Sequence, residues 1–170
     1  MGTACWRASE EMTMRDFQEL NINEHGKRVS RDGPSVAVIL AFEQEFGVQI
    51  PQEYIRLMDH SNGGHPELNS IEPMGRSDIA SRSIDHFYYL DDDREGAASL
   101  WSATKAWHSI LGKNYLPFAV DGGGNPFVFD LTAMPHAIKA CLHDEQFALV
   151  DMAKSFDQFI DALKLDPDMI

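Results

Sequence analysis

The chain has 170 residues, 44% of them hydrophobic, which is enough to bury one core and makes a single domain the default expectation. Its 14 Lys+Arg against 27 Asp+Glu give a formal net charge of -13 at pH 7. A net negative charge of this size repels nucleic acid and anionic lipid and attracts basic partners. We therefore expect no nucleic-acid partner and no membrane partner.

The N-terminal segment, residues 1–33, is polar and weakly periodic, which predicts a loosely held extension with one short helix near Met14–Leu20. Its start, "MGTACWRASEEM", lacks the apolar stretch of a secretory signal, and no run approaches the ~20 apolar residues that span a bilayer. Two cysteines, Cys5 and Cys141, indicate no disulfide framework. We therefore expect a soluble cytoplasmic protein, with one domain over 34–166 and a tail at 167–170.

The segment "DGPSVAVILAFEQEFG" predicts the first long helix. Asp32 or Gly33 can cap it, Pro34 suits its first turn, and Gly47 suits a left-handed stop. Helical spacing puts four apolar residues on the inward face. They are Val36, Ile39, Phe42 and Phe46.

A second helix is predicted to begin at Pro51 and to end before "SNGG" at 62–64, where positive φ is available. Its inward residues are Tyr54, Leu57 and Met58. The next element, "IDHFYYL", is rich in aromatic residues and predicts a strand. A further helix ends at Leu111 and Gly112, with Leu100, Thr104, Trp107 and Leu111 on one face and Trp101 and Trp107 in the core.

An acidic cluster separates that strand from that helix, and it consists of Asp91, Asp92, Asp93 and Glu95. The run lacks the spacing and the glycine of a calcium-binding loop. Two interpretations remain, a solvated loop and a docking site for a basic partner. No base in the local sequence balances these acids in number.

The C-terminal half predicts strands at "YLPFAV", "PFVFDL", "HAIKACLH" and "FALVDMA". Ser155 with Gln158 forms a capping box, which predicts a closing helix with Phe156, Phe159, Ile160 and Leu163 inward. Hairpin-like strands in succession, with helices to cover them, predict a single α+β domain whose sheet is mainly antiparallel or mixed.

The loop "DGGGN" between the first two of these strands raises the question of phosphate binding. A phosphate loop leads into a helix, whereas this one leads into the β pattern "FVFDL", and Asp121 would repel phosphate. The loop therefore predicts a hairpin turn that joins antiparallel strands at 116–121 and 126–131, with a glycine at positive φ. We expect Gly63→Val and Gly123→Val to lower the melting temperature if those positions have positive φ.

No residue pattern indicates a catalytic, metal or cofactor site. The seven histidines lack the spacing of a helical zinc site, and His60 and His65 flank the turn at 62–64 as loop residues. Cys141 lies in an alternating apolar segment and predicts a buried thiol. A nucleophile built from Cys141 with His143 stays an open alternative, because such sites assemble in space.

Three segments together resemble the SUKH superfamily, named for a yeast cell-wall synthesis regulator of the Smi/Knr type and its bacterial relatives. They are "FGVQIPQEYIRLMDHSNGG" (46–64), "LPFAVDGGGNPFVFDL" (116–131) and "VDMAKSFDQFIDAL" (150–163). The long polar N-terminus and the insertion-like "PELNSIEPMGRSDIASRS" depart from the family pattern. The positions that match it are Pro51, Tyr54, Asn62, Gly63, Gly64, Pro117, Phe118, Ala119, Asp121, Gly122, Gly124, Asn125, Asp130, Leu131, Ala153, Ser155, Phe156 and Phe159.

The resemblance implies an α+β fold without catalytic activity or cofactor. It also implies an immunity protein that binds and neutralises a cognate toxin, which we expect to be basic and often a nuclease. One alternative is a regulatory scaffold that docks a signalling or cell-wall-synthesis partner, as the eukaryotic relatives do. Another is an unrecognised hydrolase with a His/Asp or Cys/His site.

The matched motif residues have structural chemistry, namely positive-φ turns, a first-turn proline and core aromatic residues, so we expect the recognition surface to lie elsewhere. These turn residues are Asn62, Gly63, Gly64, Asp121, Gly122, Gly124 and Asn125. The candidate partner-binding residues are Asp91, Asp92, Asp93 and Glu95. Other acids that could form this surface instead are Glu43, Glu45, Asp144 and Glu145.

Overall fold

The structure is a computed structural model that describes residues 15–166. Cys5, most of the predicted N-terminal extension and the tail at 167–170 lie outside the described residues. The architecture is α+β, as predicted. Its α-helices are α1 (Val36–Phe46), α2 (Gln52–His60), α3 (Leu100–Leu111) and α4 (Phe156–Ala162). Short 3₁₀ helices occur at Phe17–Leu20 and His143–Glu145.

The strands form a small hairpin and one larger sheet. The hairpin pairs β1 (Asn23–Glu24) with β2 (Lys27–Arg28). The sheet contains β3 (Ser70–Ile71), β4 (Arg82–Phe87), β5 (Tyr115–Asp121), β6 (Pro126–Asp130), β7 (Ala137–Leu142) and β8 (Ala148–Ala153). Each strand pairs with the next along the chain, and each of these pairings is antiparallel. Of the two predicted arrangements, a mainly antiparallel sheet and a mixed sheet, the antiparallel one is therefore correct.

The glycine loop is a hairpin turn between β5 and β6, as predicted. Tyr115 pairs with Asp130 at the far end of the hairpin, and Asp121 and Asn125 close the turn with a 2.9 Å backbone hydrogen bond. Gly124 has φ +87°. Because β6 follows directly, the loop has no helix whose dipole could hold a phosphate group.

The core lies between the sheet and the helices and is dominated by aromatic rings. Tyr54 from α2 contacts Phe118 of β5, with 5.8 Å between ring centroids. Phe118 also packs on Phe129 of β6 at 4.7 Å and on Phe159 of α4 at 5.4 Å. Phe156 joins them from the start of α4. The inward residues predicted for α2 and α4 are therefore correct.

The closing helix begins close to the predicted capping box. Ser155 Oγ accepts a hydrogen bond from the backbone N–H of Gln158 at 3.1 Å. The Gln158 side chain reaches back to the N–H of Lys154 at 2.6 Å, one residue before the expected partner. These two bonds pair the backbone N–H groups of Lys154 and Gln158 around the helix start.

The start of α1 differs from the prediction. Ser35, rather than Asp32 or Gly33, caps the helix, with its Oγ accepting from the N–H of Val38 at 3.2 Å. The helix therefore begins at Val36, whose side chain is 74% exposed instead of inward. The apolar residues of this helix lie on nearly all of its faces, so their spacing alone did not identify the buried face.

The N-terminal segment is packed against the domain over the part that the structure describes. Leu20 and Ile22 are buried in the core. Asn23 and His65 exchange two backbone hydrogen bonds, at 2.9 and 2.6 Å. The expected loose attachment is therefore wrong for residues 17–28. A boundary between extension and domain at 33/34 stays a prediction.

Candidate partner-binding surface

The acidic loop, residues 91–95, is folded by hydrogen bonds that its own carboxylates accept. Asp93 Oδ1 accepts from the N–H groups of Glu95 and Gly96, both at 3.1 Å. The hydroxyl of Tyr89 donates to Asp93 Oδ2 at 2.6 Å. The tyrosine bond, followed by the two backbone bonds, lowers the pKa of the Asp93 carboxyl. Burial, with the bond to Asp93, raises the pKa of Tyr89 to about 12.

The acidic loop is also tied to the start of α3. Asp91 Oδ1 accepts from the N–H of Asp93 at 2.8 Å. The indole N–H of Trp101 donates to the carbonyl of Asp91 at 3.0 Å, and Ser99 Oγ donates to the carbonyl of Asp93 at 2.7 Å. The loop backbone is therefore fixed at both aspartates, and Asp91 and Asp93 are parts of the fold.

Arg31, from the segment before α1, balances part of this charge. Its Nε lies 3.8 Å from Asp91 Oδ2, and its guanidinium lies 4.0 Å from the ring centroid of Tyr89. The base that partly balances Asp91 therefore lies outside the local sequence, which has none to match the cluster in number. The contact joins residues sixty positions apart, so the local sequence carried no signal of it.

Arg94 has a similar arrangement within the loop. Its guanidinium lies 3.8 Å from the ring centroid of Trp101, and its Nη1 lies 3.4 Å from Glu45 Oε2. Glu43 accepts a hydrogen bond from the N–H of Ile50 at 2.7 Å and so supports the turn after α1. Both of these α1 acids therefore have partners within the protein.

Asp92 and Glu95 are the acids of the loop whose carboxylates remain available. Both side chains are exposed, and neither carboxylate has a hydrogen bond or ion pair within residues 15–166. A second exposed pair, Asp144 and Glu145, lies in the 3₁₀ helix between β7 and β8, where Asp144 is 3.7 Å from His143. Carboxylates placed in this way can bind cationic side chains of a partner, and the assignment of the surface stays a prediction.

The Asn-Gly-Gly motif is a structural support beneath the acidic loop. Asn62 is fully buried and does not have positive φ, which corrects the expectation for this residue. Its amide donates to the carbonyls of Asp32 and Leu90 and accepts from the N–H of Leu90, each at 2.9 Å. Gly63 and Gly64 have φ +91° and +99°. Asn62 therefore fixes the residue from which the acidic loop begins.

Valine at Gly63 is expected to lower the free energy of unfolding by about 2 kcal/mol. A β-branched residue is strained at this φ, and its Cβ would lie 3.0 Å from the Cβ of Tyr89. Gly123 does not have positive φ, so the condition set for Gly123→Val is not met. The glycine with positive φ in that turn is Gly124. Gly122→Val, where a Cβ meets nothing within 4 Å, is the matched control. Thermal unfolding that ranks Gly122→Val as the more damaging change would contradict this account.

The Asp-Gly-Gly-Gly-Asn turn is organised by the carboxylate of Asp121. Its Oδ1 accepts from the N–H groups of Gly123 and Asn125, at 2.9 and 2.8 Å, and its Oδ2 accepts from the Asn125 amide at 3.0 Å and from Arg82. The side-chain Oδ1 of Asn125 accepts a hydrogen bond from the backbone N–H of His143 at 2.9 Å. Gly122 and Gly124 complete the turn. These matched residues therefore serve the fold.

Three further titratable residues of the described part of the chain, Cys141, His143 and His65, are buried or hydrogen-bonded to the backbone. Cys141 is fully buried, as predicted, and burial raises the pKa of its thiol. His143 Nε2 lies 2.7 Å from the carbonyl oxygen of Gly123, so its ring supports the hairpin turn. His65 Nδ1 lies 2.6 Å from the carbonyl of Asp85. Within residues 15–166, no three His, Cys, Asp or Glu side chains are placed to hold a metal ion.

The same described part of the chain contains no helix that is both long and apolar enough to cross a membrane. A family model described as SMI1 / KNR4 family (SUKH-1) matches residues 33–162. The match includes each of the turn motifs and the acidic loop. No curated protein matches the chain.

Proposed function

Because the chain belongs to the SMI1 / KNR4 family (SUKH-1), we propose that it is a non-enzymatic immunity protein that binds and neutralises a cognate bacterial toxin. Family membership is the observation that carries this proposal, since family members bind partner proteins such as toxins. The net charge of -13 and the exposed carboxylates of Asp92 and Glu95 favour a basic partner, such as a nuclease-type toxin domain. We place the protein in the cytoplasm, with the toxin-binding domain at 34–166, an extension at 1–33 and a tail at 167–170.

Co-expression with a candidate toxin domain, taken from any toxin gene that lies beside its own gene, tests the proposal directly. The full-length protein should restore growth and form a stable complex with the purified toxin domain. If an active toxin kills the cells equally well with and without the protein, the immunity function is overturned. Recovery of a signalling or cell-wall-synthesis protein as the stoichiometric partner would favour the regulatory alternative.

Neutralising the available acids of the loop should slow association with the toxin. We expect Asp92→Asn with Glu95→Gln to lower the association rate constant about 3- to 10-fold at low salt and to flatten its salt dependence. Unfolding free energy should change by about 0.5 kcal/mol or less per substitution, because both side chains are exposed and unpaired. Asp91 and Asp93 stay unchanged, since both are tied into the fold.

The matched control removes the same charge from the other exposed pair, with Asp144→Asn and Glu145→Gln. Stopped-flow binding over a salt series compares the two double variants with the unchanged protein. If the control slows association and the loop variant does not, the surface lies at the β7–β8 connection. If neither variant alters the salt slope, electrostatic steering by these acids is excluded.

A further inference from the structure

A groove away from the acidic loop combines an apolar floor with an acidic rim. It encloses about 550 Å³ between residues 134–136, the start of α2 and one side of α4. Its floor includes Phe129 and Phe156, both buried in the core. Met134 stands at its lip with 76% of its side chain exposed, the largest exposed fraction of any large hydrophobic residue within residues 15–166. We call this concavity the Met134 groove.

Three carboxylates converge on the Met134 groove from two helices. Glu53 comes from α2, and Asp157 and Asp161 come from α4. Asp161 already accepts from the backbone N–H of Arg15 at 2.6 Å. Asp157 Oδ1, by contrast, is buried and accepts no hydrogen bond within the described part of the chain. Burial and the charge of Glu53, with a smaller effect of Asp161, raise the pKa of Asp157, and the charge of Arg56 offsets this only in part. A further cationic donor would therefore stabilise the ionised carboxylate.

We propose that the Met134 groove is a binding site for a basic partner protein, which inserts an apolar side chain flanked by lysine or arginine. The apolar floor and the exposed Met134 suit an aliphatic side chain, because methionine adapts its shape to irregular partners. The flanking cations would pair with Glu53 and Asp157, the second of which lacks a donor for one oxygen. The inference rests on the proposed function in that the partner is a basic protein.

The charge distribution of the groove disfavours the alternative occupants. A phosphate or nucleic-acid ligand would meet three carboxylates against one lysine, Lys154, and would be repelled. A second copy of this chain would bring a further formal charge of -13 to an acidic rim. A short cationic segment with a central apolar residue is the occupant that both features of the groove favour.

Synthetic peptides test the groove without the toxin. The probe is acetyl-Gly-Arg-Leu-Arg-Gly-amide, and the matched control replaces both arginines with glutamates. In ¹H–¹⁵N spectra of the full chain, the basic peptide should shift the backbone amides of Glu53, Met134 and Gln158 at millimolar concentration. We expect the acidic peptide to bind at least about tenfold more weakly. Shifts confined to the acidic loop, or none, would overturn the proposal.

Two substitutions assign the binding to the rim. Asp157→Asn and, separately, Glu53→Gln should each weaken the basic peptide about 3- to 5-fold, while Asp144→Asn should not change it. Two such variants guard against one that fails to fold, which urea unfolding would reveal. Equal affinity in folded Asp157→Asn and Glu53→Gln proteins would remove the rim from the site.

Further measurements separate the competing occupants and the two proposals. Sedimentation that shows a dimer, dissociated by Met134→Asp, would assign the groove to a second copy and overturn the partner site. Tighter peptide binding in Trp6→Ala would assign it to the chain's own N-terminal segment, with the same consequence. If the peptide binds as expected but no toxin is neutralised, the groove stands and the immunity function falls. If a toxin is neutralised while the groove variants bind it unchanged, only the groove inference fails.

Discussion

Alanine at Tyr54 is expected to lower the free energy of unfolding by about 4 kcal/mol, a large fraction of the stability of a typical domain. The ring is fully buried and packs on Phe118, Phe129 and Phe156. Its removal would leave a cavity at the centre of the contact between α2, β5, β6 and α4. Such a cavity adds to the loss of apolar burial, because surrounding side chains relax only in part.

Phenylalanine at Tyr54 separates packing from hydrogen bonding. The hydroxyl donates to the carbonyl oxygens of Tyr88 and Phe118, at 2.5 and 3.1 Å. Phe118 O also accepts from the N–H of Tyr88, so the loss falls mainly on the carbonyl of Tyr88. We expect Tyr54→Phe to lower the free energy of unfolding by about 1–2 kcal/mol.

Tyr115→Phe is the control, since the Tyr115 hydroxyl has no hydrogen-bond partner within residues 15–166. It should change the free energy of unfolding by less than about 0.5 kcal/mol. Urea unfolding of the three variants measures the order. A Tyr54→Phe variant as unstable as Tyr54→Ala would show that the hydroxyl, and not the ring, holds these elements together.

Elements with a local cause were predictable from the sequence. Hairpin chemistry in "DGGGN" gave the pairing of β5 with β6, and Ser155 with Gln158 gave the start of α4. The predicted cap of α1 was wrong, because Ser35 is as acceptable a cap as Asp32 or Gly33. Only packing decides among them, and spacing cannot report which side of an almost wholly apolar helix is covered.

Contacts between distant residues were not predictable from one sequence. Asn62 has the composition of a turn residue, yet its amide is buried and bonds to Leu90, twenty-eight positions away. Arg31 belongs to a polar segment that suggested no contact with the domain, but it lies over Tyr89. Nothing local distinguishes such residues from others of their type, because the partner is set by the tertiary fold.

The acidic loop shows the same limit within a single stretch. The sequence located the loop between β4 and α3, but it treated its four acids as equivalent. The structure divides them, because Asp93 accepts from Tyr89 and Asp91 lies beside Arg31, while Asp92 and Glu95 face solvent unpaired. The Met134 groove had no sequence signal, since its lining comes from three segments that are far apart in the chain.

Alanine at Asp121 is expected to lower the free energy of unfolding by about 3 kcal/mol at pH 7. The carboxylate is buried and accepts from two backbone N–H groups of the turn, from the Asn125 amide and from Arg82. Removing it would leave these donors without an acceptor and Arg82 without its partner. Loss of one member of a buried charged pair costs about this much, since the other member stays desolvated.

The loss of unfolding free energy in Asp121→Ala should depend on pH, because it follows the ionisation of the Asp121 carboxyl. Burial raises the pKa of Asp121, but the hydrogen bonds from Asn125 and Arg82 and the charge of Arg82 outweigh it, and the pKa is lowered. A carboxylate with a lowered folded pKa contributes stability above its unfolded value of about 3.9, and that contribution disappears as pH falls through the folded pKa.

The stability difference between the unchanged protein and Asp121→Ala should therefore be constant from pH 7 to 5 and shrink below pH 4. Urea unfolding at each pH measures it, with Asp144→Ala, an exposed acid, as the control. A difference that stays constant down to pH 2.5 would mean that the ionised carboxylate does not hold the turn, and that the neutral acid accepts the same hydrogen bonds equally well.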